Sequence, residues 1–148
     1  MSTLDGKIIV VTGAKGGLGS FVTEAFLAAG ARVIGVSRSI QAKDFAHPGF
    51  AAIPAELSSG DAAAKLATGV VSQFGSIYGL VHVMGAFAGG SSVAETDDAT
   101  VQKMLDLNFL SVFYAARAVL PRMWLSLAMR SKPRGCCSIP PTVNFPTA

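Results

Sequence analysis

Cysteine is scarce in this sequence: two residues in 148, adjacent at Cys136 and Cys137. Neighbouring cysteines match neither zinc-site nor thioredoxin-type spacing, so no metal site is expected, and in a reducing compartment two thiols are expected rather than a disulfide. Charge is sparse as well. Charged residues make up 14% against 51% hydrophobic, a balance that excludes a disordered chain and marks an ordered globular one. Long uninterrupted apolar runs are lacking: the best candidate, residues 109–129, is broken by Arg117, Pro121 and Arg122, and charges are costly in hydrocarbon, so a packed helix is expected there. The opening Met1-Ser2-Thr3-Leu4-Asp5 lacks the basic and apolar regions of a secretory signal, so a cytoplasmic location is expected. Acidic residues stop at Asp106. Residues 1–106 carry a balance of −2 and residues 107–148 a balance of +5. Five basic residues without a recognition motif do not make a nucleic-acid site. Neither nucleic acid nor membrane is expected as a partner.

What is present is an alternation of two periodicities. Residues 7–12 form a short β-branched apolar run, which reads as a strand buried on both faces. A glycine cluster follows at Gly13, Gly16, Gly17 and Gly19. Leu18, Phe21, Val22, Ala25, Phe26 and Ala29 then recur at helical spacing, and Gly30 stands where a helix should stop. Residues 32–36 read as a second strand, which completes a βαβ unit and predicts a parallel sheet. A third strand is predicted at 50–53, a helix at 62–74 with Leu66, Val70 and Phe74 on one face, and a fourth strand at 79–84. After a glycine-rich loop at 85–92, Thr96 is the expected cap of a long helix, with Asp97 and Asp98 in its positive first turn. Val101, Met104, Leu105, Val112, Ala115, Ala116 and Val119 supply that helix's apolar stripe to about residue 129. The fold class expected is α/β, a Rossmann-like doubly wound parallel sheet in three layers with its second half incomplete. Residues 1–123 form the domain. Residues 124–148 are a basic, proline-rich tail, where Pro133, Pro140, Pro141 and Pro146 forbid a long helix.

The glycine cluster carries the chemistry. Residues 12–19 read Thr-Gly-Ala-Lys-Gly-Gly-Leu-Gly. A glycine turn between a buried strand and a helix lets backbone approach a pyrophosphate, and the helix N-terminus offers unpaired N–H groups and partial positive charge. In this reading Gly13 makes the turn, Gly17 admits the phosphate and Gly19 lets the helix lie close to the strand. A triphosphatase P-loop is excluded, because no Gly-Lys-Ser/Thr follows the glycines.

The spacing Thr-Gly-x-x-x-Gly-x-Gly resembles the fingerprint of the short-chain dehydrogenase/reductase family. The resemblance makes Thr12, Gly13, Lys15, Gly16, Gly17, Leu18 and Gly19 candidates for cofactor binding. Where NAD-binding domains carry an acid near the end of the second strand, this chain has Ser37-Arg38, and Lys15 adds a second cation in the turn. An Arg here accommodates the 2′-phosphate of NADP, so NADP(H) is favoured over NAD(H). The alternative is that both cations are only solvated surface residues. The family also implies that Glu56 and Leu57 meet the adenine ring, and that Gly85 closes the site where the family commonly reads Asn-Asn-Ala-Gly. Here that motif is His82-Val83-Met84-Gly85, and His82 is expected to be a strand-end structural residue. Asn108 falls on the apolar stripe of the long helix, where a buried side chain needs partners. It is either a satisfied core residue or, as the resemblance favours, the asparagine that supports the active-site proton relay.

The resemblance runs from residue 5 to about 123. The family reaction moves hydride between nicotinamide and a carbonyl or alcohol, and uses a Tyr followed four positions later by Lys. The tyrosines here are Tyr78 and Tyr114, followed at that spacing by His82 and Ala118. Ser138 does not align with the family serine. Four strands in the order 3-2-1-4 would leave the fourth strand's edge open unless residues 135–139 cover it. A truncated, spliced or frame-shifted product is one expectation. Three classes follow: an oxidoreductase completed by another segment or subunit, a non-catalytic dinucleotide-binding module, or an inert fragment that dimerises through its exposed helix, a region through which family members often pair.

Overall fold

The computed structural model describes residues 3–130, with side chains as far as Met123. The two cysteines, Ser138, residues 135–139 and the proline cluster lie outside the described residues. Every residue of β1 (Ile8–Thr12) is β-branched, which favours the extended state, and all five are buried. The strand occupies an interior position in a four-stranded sheet of order β3-β2-β1-β4, with β2 at Arg32–Ser37, β3 at Phe50–Pro54 and β4 at Gly79–His82. All pairings are parallel, with Thr12 opposite both Val36 and His82 and Ser37 opposite Pro54. The strands' carboxyl ends therefore fall along one edge, where ligands bind in open α/β sheets.

Alternate residues of β1 feed two cores. Ile8 and Val10 pack with Ile34, Leu66, Val70, Ala115 and Val119, on the side covered by α2 (Gly60–Phe74) and the last helix. Ile9 and Val11 pack with Leu27, Val33, Ile40 and Phe45, on the side covered by α1 (Gly17–Ala28). The architecture is the expected three-layer, Rossmann-like α/β sandwich. Burying a side chain such as Val70 completely contributes about 1.5–3 kcal/mol. Gly30 stops α1 in the left-handed conformation at φ +83°, and Gly75 caps α2.

The buried face of α1 differs from the predicted stripe. Gly19, Thr23 and Leu27 face the sheet, with Val22 and Phe26 beside them, while Leu18 (67% exposed) and Phe21 (73%) look outward. The cause is steric. A Cβ on Gly19 would collide with the Gly13 carbonyl and lie 3.0 Å from Ala14 Cα, so only this side of the helix fits against the turn. Thr23 is the consequence: its hydroxyl is buried there without a hydrogen-bond partner among the described residues.

Two further boundaries move. β4 ends at His82 rather than at residue 84; the Val83 amide makes the last bond to the Thr12 carbonyl (3.1 Å), and the chain then turns across Gly13. The cap of α3 (Asp98–Leu105) is Asp97, whose Oδ1 accepts from Thr100 N at 2.7 Å, not Thr96. The Thr96 hydroxyl is committed to the Ser92 carbonyl, at the end of a short 3₁₀ turn (Val93–Glu95).

The long helix reaches Arg130, close to expectation, but it is not uniform. A π-helical turn (Asp106–Leu110) separates α3 from α4 (Ser111–Arg130). Its wider turn interrupts the 3.6-residue step between the two helices. Beyond it Ala115 and Val119 are buried as expected, with Ala118 beside them, whereas Val101 and Leu105, read as inward-facing, are about half exposed, as are Phe109, Phe113 and Leu120. Arg122 ties α4 to α2 by donating to the Thr68 hydroxyl at 2.8 Å. Among the described residues no helix is long and apolar enough to cross a membrane.

Candidate functional site: a cavity at the strand carboxyl ends

Gly13 leaves β1 at φ +72°, a conformation that side chains disfavour, and its amide donates to the Val36 carbonyl at 2.7 Å. Its Cα side is pressed against β4's exit: a Cβ there would sit 2.9 Å from Met84 N. Gly16 then opens α1 without any side-chain cap and without an acid in the first turn. The first-turn amides and the positive end of the helix are thus left for a ligand. Apart from its chain neighbours and the backbone of its own helix, no heavy atom of the described residues lies within 4 Å of where a Gly17 side chain would stand.

Beside this turn lies a cavity of about 460 Å³, in the range of small-molecule sites. Seven of the residues expected at the site line it: Gly13, Gly16, Ser37, Arg38, Glu56, Leu57 and Gly85. Lys15, Gly17, Leu18 and Gly19 belong to the adjoining turn and helix start but not to the lining. Thr12 is also outside it, 1% exposed beneath the turn. Sequence reasoning missed the opposite wall, made by Asp106, Leu107, Leu110, Ser111 and Tyr114. The three-to-four-residue spacing of Leu107, Leu110, Ser111 and Tyr114 was the available signal.

Each cation faces an acid. Lys15 Nζ lies 3.1 Å from Asp44 Oδ2 and donates to the Ser39 carbonyl at 3.1 Å. The Gln41 amide and Lys15 together hold the Asp44 carboxyl below its ordinary range. Arg38 is 4.0 Å from Glu56, a looser pair with side chains 80% and 63% exposed.

Asn108 is exposed rather than buried, which corrects the inward position expected for it. The π turn carries it to the glycine-rich loop, where its closest partners are backbone groups. Its Oδ1 accepts from Ala86 N at 3.0 Å, and its Nδ2 donates to the Ala86 carbonyl at 2.9 Å and the Met104 carbonyl at 3.0 Å. Gly85 is needed for this approach, because a Cβ there would lie 2.8 Å from Asn108 Oδ1.

Below the cavity a polar chain crosses the sheet end. The Ser111 hydroxyl donates to the Leu107 carbonyl at 2.8 Å, so it accepts from His82 Nε2 at 3.2 Å. His82 Nδ1 then accepts from the Thr12 hydroxyl at 2.9 Å. Burial pushes the His82 pKa down, opposed by a bond with the Met84 backbone. A neutral imidazole satisfies all three groups.

A buried parallel strand, a glycine turn opening a helix and a cavity at the strand ends together define a Rossmann-type α/β domain. The short chain dehydrogenase family model matches residues 7–133. The chain belongs to the short-chain dehydrogenase family. It is 34% identical over 128 residues to a short chain dehydrogenase of Pseudocercospora fijiensis, covering 81% of this chain and 41% of that protein. It is 32% identical over 133 residues to D-threitol dehydrogenase of Mycolicibacterium smegmatis, covering 81% and 48%. Among solved structures, the NADH-dependent reductase A1-R′ complexed with NAD superposes with a TM-score of 0.76 at 26% identity, covering 86% of this chain and 56% of that one. The chain spans about half the length of the curated relatives it matches.

Proposed function

We propose that this chain is the NADP(H)-binding part of a short-chain dehydrogenase, an oxidoreductase that moves hydride between nicotinamide and a small carbonyl or alcohol. The observation that carries the reading is the cavity itself: its walls join the glycine turn, the end of β2 and the Glu56-Leu57 step, beside an uncapped helix N-terminus. In this reading the first-turn amides of α1 bind the pyrophosphate, and Ser37 and Arg38 take the 2′-phosphorylated ribose. Glu56 and Leu57 border the adenine, and Gly85 lines the far end. Preference for NADP(H) is supported by Arg38 and by the absence of an acid at the end of β2. Asn108 acts here as a positioning residue that fixes the Ala86 backbone at the cavity wall. Neither Tyr78 nor Tyr114 is followed by a lysine four residues on, so hydride transfer needs a tyrosine and lysine from another segment or subunit.

Calorimetric titration of the chain with NADPH and NADH tests the reading. NADPH is expected to bind more tightly. Arg38→Asp is expected to weaken NADPH about tenfold or more, the scale of one lost charge-assisted bond. Unchanged NADPH affinity in that variant would refute the assignment of Arg38. The second reading, a module that associates through its helix, is favoured by the exposed Leu105, Phe109, Phe113 and Leu120 of α3, the π turn and α4. Light scattering separates it from a monomer.

A further inference from the structure

Counting cations at the cavity's ribose end overstates the positive charge available there. Lys15 sits between Ala14 and Gly16 on the glycine turn, and its ammonium reaches across to the segment after β2, where it bonds both Ser39 and Asp44. Asp44 is itself pinned: its other bond is from the Gln41 amide to Oδ2 at 2.8 Å, and the Asp44 amide donates back to the Gln41 carbonyl at 3.0 Å. This closed turn fixes the carboxylate in one place. The pair is also better shielded than its neighbour, with the Asp44 side chain 18% exposed against 63% for Glu56, whose partner Arg38 is farther away.

We infer that Asp44 is a specificity-determining residue: by holding Lys15 against the Ser39–Asp44 turn, it withholds that cation from a 2′-phosphate and limits the discrimination between NADPH and NADH. The inference rests on the proposal that the cavity receives a nicotinamide dinucleotide with its ribose beside Ser37 and Arg38. A phosphate oxygen bonded to Lys15 would come within about 6 Å of the Asp44 carboxylate, since each anion lies near 3 Å from the same ammonium. Like charges at that range repel, and Asp44 cannot swing away without losing the Gln41 bond. Arg38, loosely paired, remains the cation the phosphate can take without displacing an acid.

Asp44→Asn tests this directly. The amide oxygen can still accept from Gln41 N, so the turn is retained while the charge is removed. Affinities for NADPH and NADH are measured by calorimetry on the full chain for the wild type, Asp44→Asn, Lys15→Met and the double variant. The expected result is that Asp44→Asn tightens NADPH about tenfold, leaves NADH unchanged, and gains markedly less in the Lys15→Met background. An unchanged NADPH affinity in Asp44→Asn, with a wild type that prefers NADPH, overturns the inference and leaves the cofactor proposal standing. A wild type that prefers NADH, with Asp44→Asn shifted towards NADPH, overturns the proposed preference and supports the inference. Absence of binding of both cofactors to all four proteins overturns both.

Discussion

Gly85→Ala tests whether the glycine-rich loop is held by Asn108. Gly85 lies outside the left-handed region, so alanine suits its backbone, and a neutral substitution would otherwise be expected. The obstacle is one atom: the new methyl would stand 2.8 Å from Asn108 Oδ1. Asn108 cannot yield without giving up its bonds to Ala86 N, the Ala86 carbonyl and the Met104 carbonyl. Each such bond contributes about 0.5–1.5 kcal/mol, and solvent access at Asn108 places them in the lower half, so losing two or three costs about 1–2 kcal/mol. For a chain of this size that lowers Tm by about 2–8 °C. Asn108→Ala removes the same bonds and should cost a similar amount. In that background the oxygen is gone, and Gly85→Ala should be neutral or stabilising by about 0.4–1 kcal/mol, through the reduced entropy of the unfolded chain. Urea unfolding of the four proteins closes the double-mutant cycle. If the two costs simply add, or if Gly85→Ala alone is silent, the loop is not held through Asn108 and the reasoning fails.

Two further outcomes can be checked alongside the tests of Arg38 and Asp44. Thr23→Val keeps the β-branched shape and removes a buried hydroxyl that has no partner among the described residues, so it should stabilise the fold by about 1 kcal/mol in urea unfolding; destabilisation would mean that the hydroxyl is satisfied in solution. His82 has a folded pKa below 6.5, so the unfolded chain binds its proton first as pH falls. Stability from this group is therefore complete above about pH 6.5 and is lost as pH falls through the depressed folded value. His82→Gln should flatten the slope between pH 7 and 5, where Asp44 and Asp97, both lowered from 3.8, stay ionised; an unaltered slope would exclude His82 as its source.

Elements whose signal is local were legible from the residues alone. The β-branched run of β1 and the glycines at 13–19 announced a strand, a turn and a helix. The Gly30 stop needed no knowledge of distant neighbours. The parallel sheet followed from the alternation of periods 2 and 3.6, and its strand order from the Rossmann pattern that the resemblance implied. The cap of α3 was displaced by one residue, because Thr96 and Asp97 compete for the position and only the Ser92 carbonyl decides between them. The face of α1 was misread because apolar spacing counts side chains, whereas Gly19 wins its inward place by lacking one. The stripe held in α4, where Ala115 and Val119 are buried, and failed at Val101, Leu105 and Asn108, in α3 and the π turn that no residue type marks reliably.

By itself, then, the sequence determined the class of fold, the position of the glycine turn and the family, since each depends on residues close together in the chain. Tertiary structure decided the charge and the geometry of the site. Lys15 meets Asp44 across 29 residues, Thr12 meets His82 across 70, and Asn108 meets Ala86 across 22. The physical reason is that hydrogen bonds and ion pairs act over a few ångströms of space. Which polar groups come within that range is set by parallel strands ending along one edge, not by their spacing in the chain.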